Sequence, residues 1–130
     1  MKTTIKGRYV KGLGKGKYFM RQQGYKSQFI RKLGIDPYHG TFNVRLSGAS
    51  LALFRKLVSG KGIMIRGFRK GGKSFGNVAC YRAEICGIRC AMVVPERTGH
   101  SDVAELIAQV VLRKELDVKE GMAVTFSVSS

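Results

Sequence analysis

Turn signals cut this chain into short pieces and so exclude long helices. Gly12-x-Gly14-x-Gly16, Gly34, Asp36-Pro37-Tyr38-His39-Gly40, Ser59-Gly60, Gly71-Gly72, Gly87, Pro95 and Lys119-Glu120-Gly121 recur along its 130 residues. Between them lie apolar stretches of strand length. Residues 5–11 alternate, with Ile5, Gly7, Tyr9 and Lys11 on one side and Lys6, Arg8 and Val10 on the other. Phe42, Val44 and Leu46 alternate with Thr41, Asn43 and Arg45. Residues 62–68 and 75–85 read as a hairpin through Gly71-Gly72, Ile85 to Cys90 as a tight turn into the strand 90–94, and 122–128 as the last strand.

Helical periodicity is brief. It is predicted at 25–33, ending at Gly34, at 51–57, starting from Ser50, and at 103–109, where Ser101-Asp102 offers a cap and Val103, Leu106, Ile107 and Val110 form a stripe. Leu112 to Leu116 makes a further turn. Strands without β-α-β alternation point to a mainly β fold with short helices, a small barrel rather than a doubly wound sheet. The length suits one domain, 1–130.

Composition narrows the partners. Twenty-four Lys and Arg against eight Asp and Glu give a formal charge of +16, which favours ligands that carry phosphates. Nucleic acid, a nucleoside triphosphate and a merely solvated cationic surface all fit, since the cations are scattered except for the cluster Arg66 to Lys73, read as an exposed hairpin tip. The apolar run 90–94 is too short to span a bilayer and residues 1–7 hold no apolar signal core, so a cytoplasmic protein with no membrane partner is expected. Cys80, Cys86 and Cys90 form no Cys-x-x-Cys pair; small buried thiols within strands are expected.

Three segments carry chemistry. Gly12-Leu13-Gly14-Lys15-Gly16-Lys17 can turn successive amides toward an anion, but it fits neither the P-loop nor the dinucleotide fingerprint; a phosphate cradle and a basic turn both remain open. Thr41 and Asn43 share a strand face and offer two neutral oxygens, suited to Mg²⁺ with phosphate and water in its other positions, although taken alone the pair reads first as an ordinary surface Thr-x-Asn. Residues 95–105 gather Glu96, His100, Asp102 and Glu105. His100 and His39 read as spectators, while Glu105, on the polar face of the expected helix, could accept a hydrogen bond from a substrate hydroxyl or simply face solvent.

Taken in order, Gly12-Leu13-Gly14-Lys15-Gly16-Lys17-Tyr18-Phe19, residues 33–44, Met92 to Ser101 and Leu112-Arg113-Lys114-Glu115-Leu116 resemble the archaeal CTP-dependent riboflavin kinases over nearly the whole chain. The resemblance implies a six-stranded cradle-loop β-barrel and transfer of the γ-phosphoryl of CTP to the 5′-hydroxyl of riboflavin, yielding FMN and CDP. It further implies Gly12 to Lys17 as the nucleotide-phosphate loop, Val111, Leu112, Arg113 and Lys114 as a second nucleotide contact, Thr41 and Asn43 as Mg²⁺ ligands, and Thr98 and Glu105 as flavin contacts, with Glu105 orienting the hydroxyl. The stretch from Thr98 to Glu105 is a residue shorter than the family pattern, which makes Asp102 the alternative to Glu105. A monomer is expected. The rival readings are a basic cradle-loop-barrel DNA-binding protein without enzymatic activity, and a flavin binder without catalysis. Non-specific nucleic-acid binding from the +16 charge fits either a kinase or the rival barrel.

Overall fold

Alternation in β1 (Lys2–Val10) buries Ile5 and Tyr9 and leaves Lys6 and Arg8 in water, and the same period of two governs the rest of a mainly antiparallel architecture. The computed structural model describes residues 2–12, 22–37, 40–96 and 102–129. After β1 come α1 (Gln23–Gln28), which runs directly into a π-helical turn (Phe29–Leu33), then β2 (Phe42–Arg45) and α2 (Gly48–Val58). There follow β3 (Ile63–Ile65), β4 (Phe68–Lys70), β5 (Lys73–Phe75), β6 (Val78–Ile85), β7 (Ile88–Pro95), β8 (Val103–Ile107), α3 (Leu112–Glu115) and β9 (Ala123–Ser129).

Six of the strands close on themselves in the order β6-β7-β8-β2-β1-β9 and back to β6, every pairing antiparallel, with β3 attached to β6 outside the ring. The expected six-stranded barrel is therefore present. Its interior is filled by inward residues of each strand, among them Ile5, Phe42, Val44, Met92, Leu106, Phe126 and Val128, all at most 5% exposed. A second apolar layer lies outside the ring. There Tyr25, Phe29 and Leu33 cover Cys80, Ala91, Val93 and Ile107, and Gly34, at φ 70°, stops the helix as its spacing predicts.

Several sequence expectations change. Residues 103–109 are not a helix: residues 103–107 are the strand β8, hydrogen-bonded to β2 on one edge and β7 on the other. Ala104 and Leu106 point into the barrel while Ile107, on the same outer face as Glu105, packs under the π turn, so both faces carry buried apolar residues and the strand imitates a helical stripe. Ladders on both edges outweigh the helix propensity of Ala, Glu and Leu.

The hairpin through Gly71-Gly72 is likewise interrupted. Ile63 to Ile65 pair with β6, but β4 and β5 pair only with each other and form a separate two-stranded ribbon turning on Gly71 and Gly72 at φ 57° and 78°. The helix expected at 51–57 begins earlier, at Gly48, and the one expected at 25–33 begins at Gln23 and changes to π geometry halfway. Of the cysteines, Cys80 and Cys90 are buried, their thiols pushed up to about 12 by desolvation, and are unreactive wall residues; Cys86 instead occupies an exposed turn at φ 49°. No helix among the described residues is long and apolar enough to cross a membrane.

Candidate functional site

The register of β2 against β8 creates the site. Asn43 lies directly opposite Glu105, and because facing residues of an antiparallel pair point to the same side, both side chains emerge on the outer face of the barrel, away from the interior Phe42 and Leu106. Thr41, two residues before Asn43, projects on that same side. Its hydroxyl lies 2.9 Å from Asn43 Oδ1 and 3.4 Å from Glu105 Oε1, with a single proton to donate between them. Three oxygens converge.

Asn43 is the buried polar residue of this group, at 9% exposure, and Glu105 is half-buried. Burial raises the Glu105 carboxyl above the usual 4.5, and the hydrogen bond from Thr41 pulls it back in part. A half-buried carboxylate whose pKa is raised by burial is better suited to accept a proton than a fully solvated one. Asp102, the alternative, is exposed; its carboxylate lies 3.9 Å from Arg45 and its backbone carbonyl accepts the Leu46 N–H, so it is occupied elsewhere.

Gly12 enters the same cluster from β1. Val10 pairs with Asn43 in register, and a Cβ on Gly12 would run into the Asn43 amide nitrogen. Only glycine lets the start of the glycine-lysine loop lie against that side chain. Leu13, Gly14, Lys15, Gly16 and Lys17 lie outside the described residues, as do Thr98, His39 and His100.

Beside Thr41 a cavity of about 170 Å³ opens, walled by Tyr9, Phe42, Leu106, Ala108 and the run from Val110 to Arg113. Val111 and Leu112 at the start of α3, with Arg113, thus face the cavity that Thr41 borders, while Lys114 is exposed and not part of its wall. The Tyr9 and Phe42 rings stack at 4.8 Å and 14° at the cavity floor. The sequence marks Phe42 as inward and sets Tyr9 on one side of its strand, but alternation says nothing of how near either lies to the barrel mouth. Gly40 and Thr41 complete the rim.

Thr41 Oγ1, Asn43 Oδ1 and the Glu105 carboxylate are hard oxygen donors, the chemistry that Mg²⁺ prefers. No group of three or more His, Cys, Asp or Glu that could hold a metal occurs among the described residues. A metal here would depend on the neutral oxygens and on a ligand's phosphates.

Comparison with known proteins places the chain in a family. The family model CTP-dep_RFKase, described as domain of unknown function DUF120, matches residues 9–128. The chain is 46% identical over 110 residues to a protein named riboflavin kinase from Picrophilus torridus, covering 85% of this chain and 50% of that one. It is 41% identical over 124 residues to the riboflavin kinase of Thermoplasma volcanium (95% and 56%) and 43% identical over 127 residues to that of Methanoregula boonei (97% and 57%). The chain spans about half the length of the curated relatives it matches. With a model match over nearly its whole length and relatives above 40% identity, the chain belongs to the CTP-dep_RFKase family.

Proposed function

We propose that this domain is a riboflavin kinase that uses CTP. The observation that carries the reading is the meeting of Thr41, Asn43 and Glu105 with Gly12 at the rim of the cavity walled by residues 110–113. Relatives 46% and 41% identical over 85% and 95% of the chain are named riboflavin kinases, and the family's short name supplies the donor. A DNA-binding barrel without catalysis is not favoured by those relatives.

In the proposed reaction the 5′-hydroxyl oxygen of riboflavin attacks the γ-phosphorus of CTP, the bond from that phosphorus to the β–γ bridging oxygen breaks, and CDP departs as FMN forms. Phosphoryl transfer of this kind needs alignment and charge neutralisation more than covalent help from the protein. Glu105 accepts the hydroxyl proton, for which its raised pKa is suited. Lys15 or Lys17 and the loop amides from Gly12 onward hold the phosphates. Bound Mg²⁺ would neutralise the β and γ oxygens while held by Thr41 Oγ1 and Asn43 Oδ1, whose hard oxygens fit it. The residues at 111–113 border the nucleotide through the start of α3, and Thr98 is assigned a flavin contact on the resemblance alone.

The test incubates the domain with riboflavin, Mg²⁺ and each of the four nucleoside triphosphates in turn. FMN is expected with CTP and is expected to vanish when EDTA removes the divalent cation. Absence of FMN with every donor would overturn the reading.

A further inference from the structure

Between Asp36 and Glu84 the sequence contains no acidic residue, yet nine Lys and Arg lie there. The fold sets the later part of that stretch, from the end of α2 through β3 to β6, along one flank of the barrel. The end of α2 docks on β6 through the Tyr81 hydroxyl, which donates to the carbonyls of Val58 and Gly60 at 3.3 and 3.1 Å. Lys61 and Arg82 line a groove of about 460 Å³ beside it. From there β3 leads to the β4–β5 ribbon, which stands outside the barrel sheet with Arg66, Arg69, Lys70 and Lys73 exposed.

We propose that this flank, with the ribbon as its probe, binds the sugar-phosphate backbone of duplex DNA, a property separate from the kinase reaction. The ribbon is held for such use. Phe68 and Phe75 stack at 4.8 Å and turn their edges to Tyr25, whose hydroxyl donates to the Gly76 carbonyl at 2.6 Å. Beyond that aromatic base only Lys70, Gly71, Gly72 and Lys73 form the tip. Lys70 and Lys73 are direct cross-strand partners, so the turn of the ribbon sets two cationic side chains side by side.

Other occupants fit less well. Strand addition by a second copy is blocked at β3, because Lys32 Nζ donates to the Met64 carbonyl at 2.7 Å and the Gln28 carboxamide both donates to and accepts from the Arg66 backbone. An anionic membrane would reward apolar side chains at the tip, and the ribbon's two phenylalanines face inward instead. A two-stranded ribbon with strands about 5 Å apart enters the major groove of B-DNA, about 12 Å wide, but not the deep, narrow one of A-form RNA.

Fluorescence anisotropy with a duplex DNA of about 20 base pairs tests this across roughly 50–200 mM salt. The charge reversal Arg69→Glu with Lys70→Glu is expected to weaken binding more than tenfold and to flatten the salt dependence by about 2, one unit for each lost phosphate contact. Lys2→Glu with Lys119→Glu, equal in charge and outside the acid-free stretch, is expected to weaken it less than threefold. FMN formation should be unchanged in both. The milder Arg69→Gln with Lys70→Gln keeps the test valid should the reversal fail to fold, and is expected to lose severalfold.

The proposal is overturned if the wild-type domain does not bind the duplex at 50 mM salt, or if the two reversals weaken binding equally. It is also overturned if A-form RNA is bound as tightly as DNA, or if phosphatidylserine vesicles rather than DNA are bound through the ribbon. Activity without DNA binding would remove this inference and leave the kinase reading intact; binding without activity would do the reverse.

Discussion

Glu105 is subject to two opposing influences, and the balance between them sets a pH signature. Burial raises its pKa above the usual 4.5 and the Thr41 hydroxyl lowers it by less, so the folded state holds its proton to higher pH than the unfolded chain does. A folded state that binds more protons loses stability as pH rises. The contribution of this residue is therefore most favourable below the unfolded value and declines as pH climbs through the folded one. Glu105→Gln removes the titration: thermal melts between pH 4 and 7 should show wild type and variant close together at the acid end and the variant gaining relative stability toward pH 7. A difference that does not vary with pH would refute this account. In the proposed reaction the same variant should lose about 10²–10⁴-fold in turnover, the range for a removed general base. Asn43→Ala is expected to cost on the order of 10²-fold or more in kcat at limiting Mg²⁺, as for one lost preorganised partner. Gly12→Ala should copy part of that loss without touching a ligand, because its methyl displaces the Asn43 amide. Near-normal rates for Asn43→Ala would remove Thr41 and Asn43 from the metal assignment.

At the level of elements, the helix that follows the glycine-lysine loop acts as a clasp. Phe29 is fully buried under the outer face of β7 and β8, and Tyr25 joins it to the ribbon. Phe29→Ala should cost about 3–5 kcal/mol, a large aromatic removed from a closed site. Tyr25→Phe should cost only about 0.5–1.5 kcal/mol, the net worth of its bond to the Gly76 carbonyl. Chemical denaturation measures both, and an equal cost for the two would mean that the hydroxyl, not the packing, holds the clasp. These elements also mark where sequence reading succeeds. Strands with one wet face, such as β1 and β9, announce themselves by alternation, and Gly34 and Gly71-Gly72 stop the chain where their φ values require glycine. β8 does not, since it carries buried apolar residues on both faces and its neighbours β2 and β7 come from 60 residues before and a loop before it. The same blindness touched the site. Thr41 and Asn43 were legible as a pair two residues apart, and Glu105 as an acid of interest, but that Glu105 faces Asn43 depends on strand register, which no local pattern encodes.

For the molecule as a whole the weak line is the seam that closes the ring. Among the described residues β6 pairs with β9 through Ala83↔Val128 and Glu84↔Ser127 alone, whereas β6 meets β7 over the whole span from Val78 to Ile85 and β1 meets β9 from Lys2 to Arg8. An opening that parts β6 from β9 breaks the fewest backbone bonds for the barrel interior it exposes, so it should be the lowest-energy partial unfolding. The pocket lies across the ring from that seam, on β1, β2, β8 and α3. A ligand bound there resists global unfolding by RT ln(1 + [L]/Kd), about 2.7 kcal/mol at a hundredfold excess over Kd, but it does not resist an opening that leaves its site intact. Native-state hydrogen exchange followed by NMR separates the two. Amides of residues 127 and 128 that bond toward β6 should exchange well before those shared by β6 and β7, and saturating CTP should slow the β2 and β8 amides near Thr41 and Leu106 while leaving the seam unchanged. If CTP slowed all of them equally, the seam would open only with the whole barrel, and the two register pairs would be as strong a closure as the long ladders beside them.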